Sequence, residues 1–248
     1  VLFALLDSAT PSAAVTELRG RLKAMKHTQL MEAHFPSERA PGGAFDVIVT
    51  RTGYTGERMS YELLIHPDVL QAFWEQLLEV GGPLGLQPIG LGARDSLRIE
   101  AGLPLYGHEL AGPFDLRPDD AGFAGYVKLH KAFFVGRQAY MERARERKMI
   151  IARFRVQAKG VRVPKTEDVI TDSIGRVIGH VTSCALDTEG HLVGMAYIDQ
   201  RRAARGSEIN ILSRPAREAW NKPYDDLRIG DRLVVPIRAS VVRRFPKR

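Results

Sequence analysis

A single cysteine, Cys184, is all the thiol that 248 residues hold. No internal disulfide or multi-thiolate metal site can form from it, and a reducing compartment, the cytosol, is expected. Nor does any run reach the about 18 to 20 consecutive apolar residues that span a bilayer as a helix. The opening "VLFALLDSATPSAA" offers an apolar stretch of six residues and no basic start, which does not make a signal peptide. Internal repeats and low-complexity tracts are absent. His108 and Glu109, like His180, Cys184 and His191, lack the i, i+4 or Cys-x-x-Cys spacing of a ligand set, so no metal is expected. The basic residues are scattered, and neither an RNP-type aromatic motif nor a Gly-rich RNA loop accompanies them; nucleic acid is not an expected partner.

What is present describes a globular chain. Hydrophobic residues make up 44% and charged residues 26%, and the length suits two domains rather than one. The net charge of +7 attracts anionic partners over long range. The chain opens on what reads as a strand, and a start at Val1 rather than Met is expected to mean that an upstream part is missing. Val15, Leu18, Leu22 and Met25 recur at helical spacing, "PSERAPGG" is a loop, and "AFDVIVT" is a strand. A tight turn at Gly53 to Gly56 then leads to a returning strand, "YELLI". In "HPDVLQAFWEQLLEVGG", Val69, Leu70, Phe73, Trp74, Leu77 and Leu78 form one apolar face between a proline start and a glycine stop. A second helix runs from about Ala93 to Ala101, with Arg94 in its first turn and Arg98 one turn along the same face. Arg98 is expected to be exposed or paired with Asp95 and Glu100.

From about Lys148 the pattern becomes short β-type segments at regular spacing: "MIIARFRV", "DVITD", "VIGHVTSCAL", "HLVGMAYID", "SEINIL" and "DRLVVPIRASVVRR". That argues for a barrel or sandwich, joined to what precedes it by the charged helix "VGRQAYMERARERK". The expected organisation is an α+β region over 1–146 and a β-barrel over 147–248, with the boundary near Glu146. Cys184 is expected as an inert small hydrophobe in a strand, and "RRAAR" and "RRFPKR" as solvated surface.

One stretch carries more chemistry than its backbone needs. "RTGYTGERMSYELLIHPD" places two glycines, two tyrosines and two glutamates close together. A hairpin needs only the glycines, which take positive φ without a Cβ clash. The remainder asks for a ligand.

Four blocks stand in a recognisable order: "RTGYTGE…YE" at 51–62, "GLGARDSLRIEAGLPLYGHEL" at 90–110, "YVKLHKAFFVGRQA" at 126–139 and "GRVIGHVTSCALDTEGHLVGMAYI" at 175–198. With them the sequence resembles the folate-dependent aminomethyltransferases, the T-protein family of the glycine cleavage system. The resemblance implies an α+β region that holds tetrahydrofolate and a C-terminal β-barrel that closes over it. It implies Glu62 as the carboxylate that accepts from the pterin N–H pair, a bidentate geometry a carboxylate suits. Tyr54 would supply an aromatic wall or hydroxyl, Arg94 a guanidinium for the ligand's carboxylate or carbonyl, and Tyr106 a part of the cavity lining. The implied partner is a lipoylated carrier protein, the H-protein, and the implied product is 5,10-methylenetetrahydrofolate with release of ammonia.

The pattern is not followed throughout. "RMS" separates Glu57 from Tyr61, one residue more than usual, which reverses the facing of a strand unless a bulge absorbs it. Neither Asp7 nor Asp46 matches the context of the family's catalytic aspartate, which lies upstream of the glycine turn, so no catalytic residue is assigned. Tyr126 stands where tryptophan is common, Cys184 where glycine is general, and the end lacks the family's tyrosine. Related activities with the same implied pterin site are the demethylases of dimethylglycine, sarcosine or dimethylsulfoniopropionate. A non-catalytic paralogue linked to folate or RNA is the other alternative.

Overall fold

The computed structural model describes residues 2–145, 147–213, 226 and 236–246. The chain forms two compact units, Val1–Arg94 and Asp95–Arg248. The boundary expected near Glu146 falls on a residue outside those described.

The first unit packs helices on one face of a three-stranded sheet. Its elements are α1 (Leu2–Asp7), α2 (Ala13–Ala24), β1 (Leu30–Pro36), β2 (Ala44–Thr50), β3 (Glu62–Ile65) and α3 (Pro67–Gly81). The sheet is antiparallel, in the order β1-β2-β3. Alternation fixes its faces: Ala33, Phe35, Phe45, Val47 and Val49 are buried, while Glu32, His34, Asp46 and Leu64 point away. Phe73 of α3 meets Phe35 and Phe45 edge-on at 6.0 and 5.3 Å. Ser12 caps α2 by accepting from the Val15 N–H.

Two local expectations are corrected here. The opening segment is a helix, not a strand, because Leu5 and Leu6 are buried beside Leu18 and Leu22 while Asp7 pairs with Arg19; a short apolar run has no period that tells the two apart. The connection after β2 is not a tight turn but a loop over residues 51–61, since the β2–β3 register pairs Thr50 with Glu62. β1, "LMEAHFP", had no counterpart in the sequence reading although its alternation is plain.

α4 (Leu91–Glu100) begins two residues before the helix expected from the sequence. Among the described residues α5 (Arg137–Arg145) and six strands follow: β4 (Met149–Val156), β5 (Val169–Thr171), β6 (Val177–Leu186), β7 (Leu192–Asp199), β8 (Glu208–Leu212) and β9 (Ile237–Val242). They close into a barrel in the order β4-β7-β6-β5-β8-β9, so the fold is α+β with a C-terminal β-barrel, as the sequence implied. Of the last predicted segment, residues 231–235 lie outside those described, as do Lys247 and Arg248 of "RRFPKR". Phe154, Ile170, Val181, Ile198, Ile209, Ile211 and Val241 fill the interior.

Glycine is required where two strands of this barrel approach. A Cβ on Gly179 would overlap the Tyr197 carbonyl oxygen and lie 2.7 Å from Ile198 Cα, both backbone atoms that cannot swing aside. Gly179→Ala is therefore expected to cost about 3 kcal/mol, the upper part of the range for overpacking. Gly125→Ala, with nothing within 4 Å, should shift the urea midpoint far less, and equal shifts for the two would refute the steric account.

Candidate functional site

The loop over 51–61 ends on a carboxylate held by hydroxyls. Glu62 opens β3 on the outward face of the sheet, where Leu63 and Ile65 face the core. Its Oε2 accepts from Thr50 Oγ1 at 3.4 Å and from the Thr52 hydroxyl, and those two hydroxyls lie 2.6 Å apart. Both bonds land on one oxygen. The group is open to solvent.

Within the same loop sits Tyr54, half-buried. The Arg94 guanidinium lies over its ring, 4.8 Å from the centroid, an attractive placement because the ring face is the negative end of its quadrupole. Arg94 belongs to the first turn of α4, where its N–H reaches the Gly90 carbonyl at 3.2 Å, and its side chain is exposed. Of the residues the sequence singled out, Tyr54 and Arg94 are thus in contact and Glu62 closes the loop that carries Tyr54. Tyr106 belongs to the other compact unit and is 80% exposed, beside the bridge from Tyr106 to Leu110.

Among the hollows of the first unit are two with defined walls. One, of about 540 Å³, spreads over the outward face of the sheet between Glu32, His34, Asp46, Ile48, Leu64 and Pro67; Glu62, two residues before Leu64, projects from that same face. The other, of about 380 Å³, is polar, with Ser8, Ser37, Arg39 and Gln76 on its walls.

In the second unit the sequence reading missed a buried polar centre. Arg98 is fully buried rather than exposed: its Nε donates to Asp95 at 2.7 Å and its Nη1 to Glu109 at 2.6 Å. Asp95 is the partner expected from spacing, but Glu100 is not; its carboxylate accepts from Thr188 instead, at 2.9 Å. Glu109, also fully buried, further accepts from the Leu105 N–H at 3.1 Å, Thr182 Oγ1 at 2.7 Å and Ser183 Oγ at 2.5 Å. The available signal was the Thr182-Ser183 pair in the middle of a largely apolar strand.

Three further features complete the picture. Arg244, expected on solvated surface, donates to the carbonyls of Gly102 and Ala121, and desolvation lowers it to about 10, against the pull of Glu109. It remains a cation at neutral pH. Among the described residues Asp187, Glu189 and His191 form the one cluster with metal-ligand geometry. An Arg155 Nη2 already sits among them, 2.6 Å from both Glu189 Oε2 and His191 Nδ1. Cys184 is pushed up to about 12, first by burial and then by the charge of Asp168. At pH 8 its thiol is expected to alkylate on the order of a thousandfold more slowly than in the urea-unfolded chain, because only thiolate reacts. Equal rates, read by iodoacetamide mass labelling, would refute the raised thiol.

Residues 19–131 match the family described as the GCVT N-terminal domain. The chain is similar to an aminomethyltransferase of Streptomyces avermitilis, 44% identical over 164 residues, which is 64% of this chain and 43% of that relative. It is also similar to those of Alkaliphilus metalliredigens, at 41% identity over 67% of this chain and 44% of the relative, and Thermoanaerobacter pseudethanolicus, at 36% identity over 83% and 54%. In fold it resembles the crystal structure of glycine cleavage system aminomethyltransferase T from Bartonella henselae, with a TM-score of 0.64 and 24% identity over 92% of this chain and 56% of that one. The chain spans about half the length of the curated relatives it matches.

Proposed function

The chain belongs to the GCVT family of aminomethyltransferases, and from that premise we propose that it serves folate-dependent one-carbon transfer in glycine cleavage. The reaction passes an aminomethyl group from the lipoyl arm of a carrier protein to tetrahydrofolate, with loss of ammonia. We assign the folate contacts of the first unit to Tyr54, Glu62 and Arg94.

The observation that carries this reading is the Arg94 guanidinium on the Tyr54 ring, beside the loop that Glu62 closes. Donor chemistry agrees with it. Glu62 presents a solvent-open carboxylate whose Oε2 is steadied by two hydroxyls, which suits an adjacent N–H and amino pair on a pterin. Arg94, held over an aromatic face, presents a planar fork to the ligand's carboxylate or carbonyl. Such residues contribute by holding reactants in register, where proximity supplies much of the rate.

The partner on this reading is a lipoylated, acidic carrier protein, and the net charge of +7 favours its encounter. The compartment on this reading is the cytosol, which suits a chain with a single cysteine. The α+β portion, 1–146, takes the folate and the barrel portion, 147–248, accompanies it. Isothermal titration of this chain with tetrahydrofolate tests the proposal. Saturable binding supports it, and no binding up to about 1 mM, the weak end of useful affinity, overturns it.

A further inference from the structure

The block "YVKLHKAFFVGRQA" at 126–139 belongs to none of the sites above, yet its side chains are not those of a bare connection. Over residues 121–141 the sequence has no Asp or Glu, while Lys128, Lys131 and Arg137 supply three cations. Among those cations stand apolar side chains turned to solvent: Tyr126 is 77% exposed, Phe133 80% and Val135 91%, and Leu129 is exposed as well. Single exposed apolar residues are ordinary, but several gathered in one short segment mark an interaction surface. The segment is also held in shape by its own bonds. The Val127 N–H reaches the Ala124 carbonyl and the Lys131 N–H the Lys128 carbonyl, both at 3.0 Å. Lys128 Nζ donates to the Gly125 carbonyl at 2.6 Å, and Arg137 Nη2, at the start of α5, donates back to the Leu129 carbonyl at 3.1 Å. The Tyr126 ring rests on Phe123 at 5.5 Å, and Phe123 packs on the buried Ile99, Leu116 and Ala121. Every one of these residues lies in the second unit. A surface ordered in advance loses little freedom on docking, which favours binding.

Two kinds of partner bring anionic charge to such a surface. Single-stranded nucleic acid stacks bases on aromatic rings and sets phosphates on cations. Leu129 and Val135 speak for a protein instead, because aliphatic side chains give no stacking platform but fill an apolar socket. An apolar centre with cations around it and no acid among them is complementary to a socket rimmed by carboxylates. We infer that residues 126–135 are the docking surface for an acidic partner protein, the lipoylated carrier: Phe133 and Val135 enter its apolar socket, and Lys128 and Lys131 meet carboxylates on the rim. The identity of the partner rests on the function proposed above; the chemistry of the surface does not.

Titration calorimetry of the whole chain with recombinant lipoylated H-protein, at low and at high salt, is the test. Phe133→Ser with Val135→Ser is expected to weaken binding about tenfold at either salt concentration, because the apolar contact is not screened. Lys131→Glu is expected to weaken it about tenfold at low salt and less at high salt, since a rim charge acts through a screened field. Arg205→Glu makes the same change of charge at an exposed arginine outside the segment and should cost less than about twofold. Equal losses for Lys131→Glu and Arg205→Glu would mean that net charge alone draws the partner, and overturn the inference. So would a native chain that does not bind H-protein. All four positions are exposed, so urea midpoints of the variants should match the native one. Vesicles of phosphatidylcholine with phosphatidylserine and a single-stranded poly(U) oligonucleotide are titrated alongside. Binding of either that is lost in the Phe133→Ser, Val135→Ser variant assigns the surface to lipid or nucleic acid and overturns the inference. Tetrahydrofolate titrated into the same native sample reports separately on the folate contacts of the first unit: H-protein binding without folate binding sinks the folate reading and leaves this one standing, and the reverse result does the opposite.

Discussion

Glu109→Ala is expected to destabilise the protein by about 3–5 kcal/mol, the cost of stranding a buried cation. Arg98 would lose its fully buried partner at 2.6 Å and keep Asp95, which is about half exposed. Thr182, Ser183 and the Leu105 N–H would lose their acceptor at the same stroke. Arg98→Met should cost a comparable amount from the other side by leaving the carboxylate without its cation. Combining Arg98→Met with Glu109→Leu removes both charges and should recover at least half of either loss. The recovery stays incomplete because the Leu105 N–H still lacks a partner and an unmade buried bond costs about 1–3 kcal/mol. Urea midpoints of the four proteins check this. A double variant weaker than both singles would mean that the pair is held by packing rather than by charge.

The second large effect concerns ligand affinity. Glu62→Ala is expected to weaken tetrahydrofolate binding about 10- to 150-fold, the equivalent of the 1.5–3 kcal/mol of a hydrogen bond to a charged group. The urea midpoint should hardly move, because the carboxylate is exposed and surface substitutions usually stay within about 0.5 kcal/mol. Glu62→Gln should fall between the two, since an amide keeps one acceptor but turns an NH₂ towards a donor pair. Titration calorimetry on the three proteins decides the matter, and unchanged affinity in Glu62→Ala would remove that residue from the site.

These expectations draw unequally on what the sequence could disclose. β2 and β4 appear in the structure with the bounds that "AFDVIVT" and "MIIARFRV" suggested, because alternation and β-branched side chains are local properties. α3 carried both its boundary signals. α1 was misread because six residues are too few for a period to declare itself. Arg94 and Arg98 illustrate a deeper limit. They lie on one helical face, yet the first is exposed and the second wholly buried. Which end of α4 enters the interior is decided by Glu109 and, more than seventy residues away, by Thr182 and Ser183. No window centred on the helix contains that information. The contact of Tyr54 with Arg94 likewise joins segments far apart in the chain and was approachable only through motifs.

The closing seam of the barrel bears on how the protein is made. β4 pairs on one side with β7 and on the other with β9, Arg155 lying opposite Ser240 and Arg153 opposite Val242. As the chain emerges from a ribosome, β4 must wait for residues nearly ninety positions later before its second edge is covered, and such distant pairings are slow to form. A waiting edge invites pairing with other chains. Arg153 and Arg155 place two cations along it, and charge on an edge is a recognised deterrent to such pairing. The same two arginines that the finished barrel ties down would thus guard the nascent chain against self-association during synthesis.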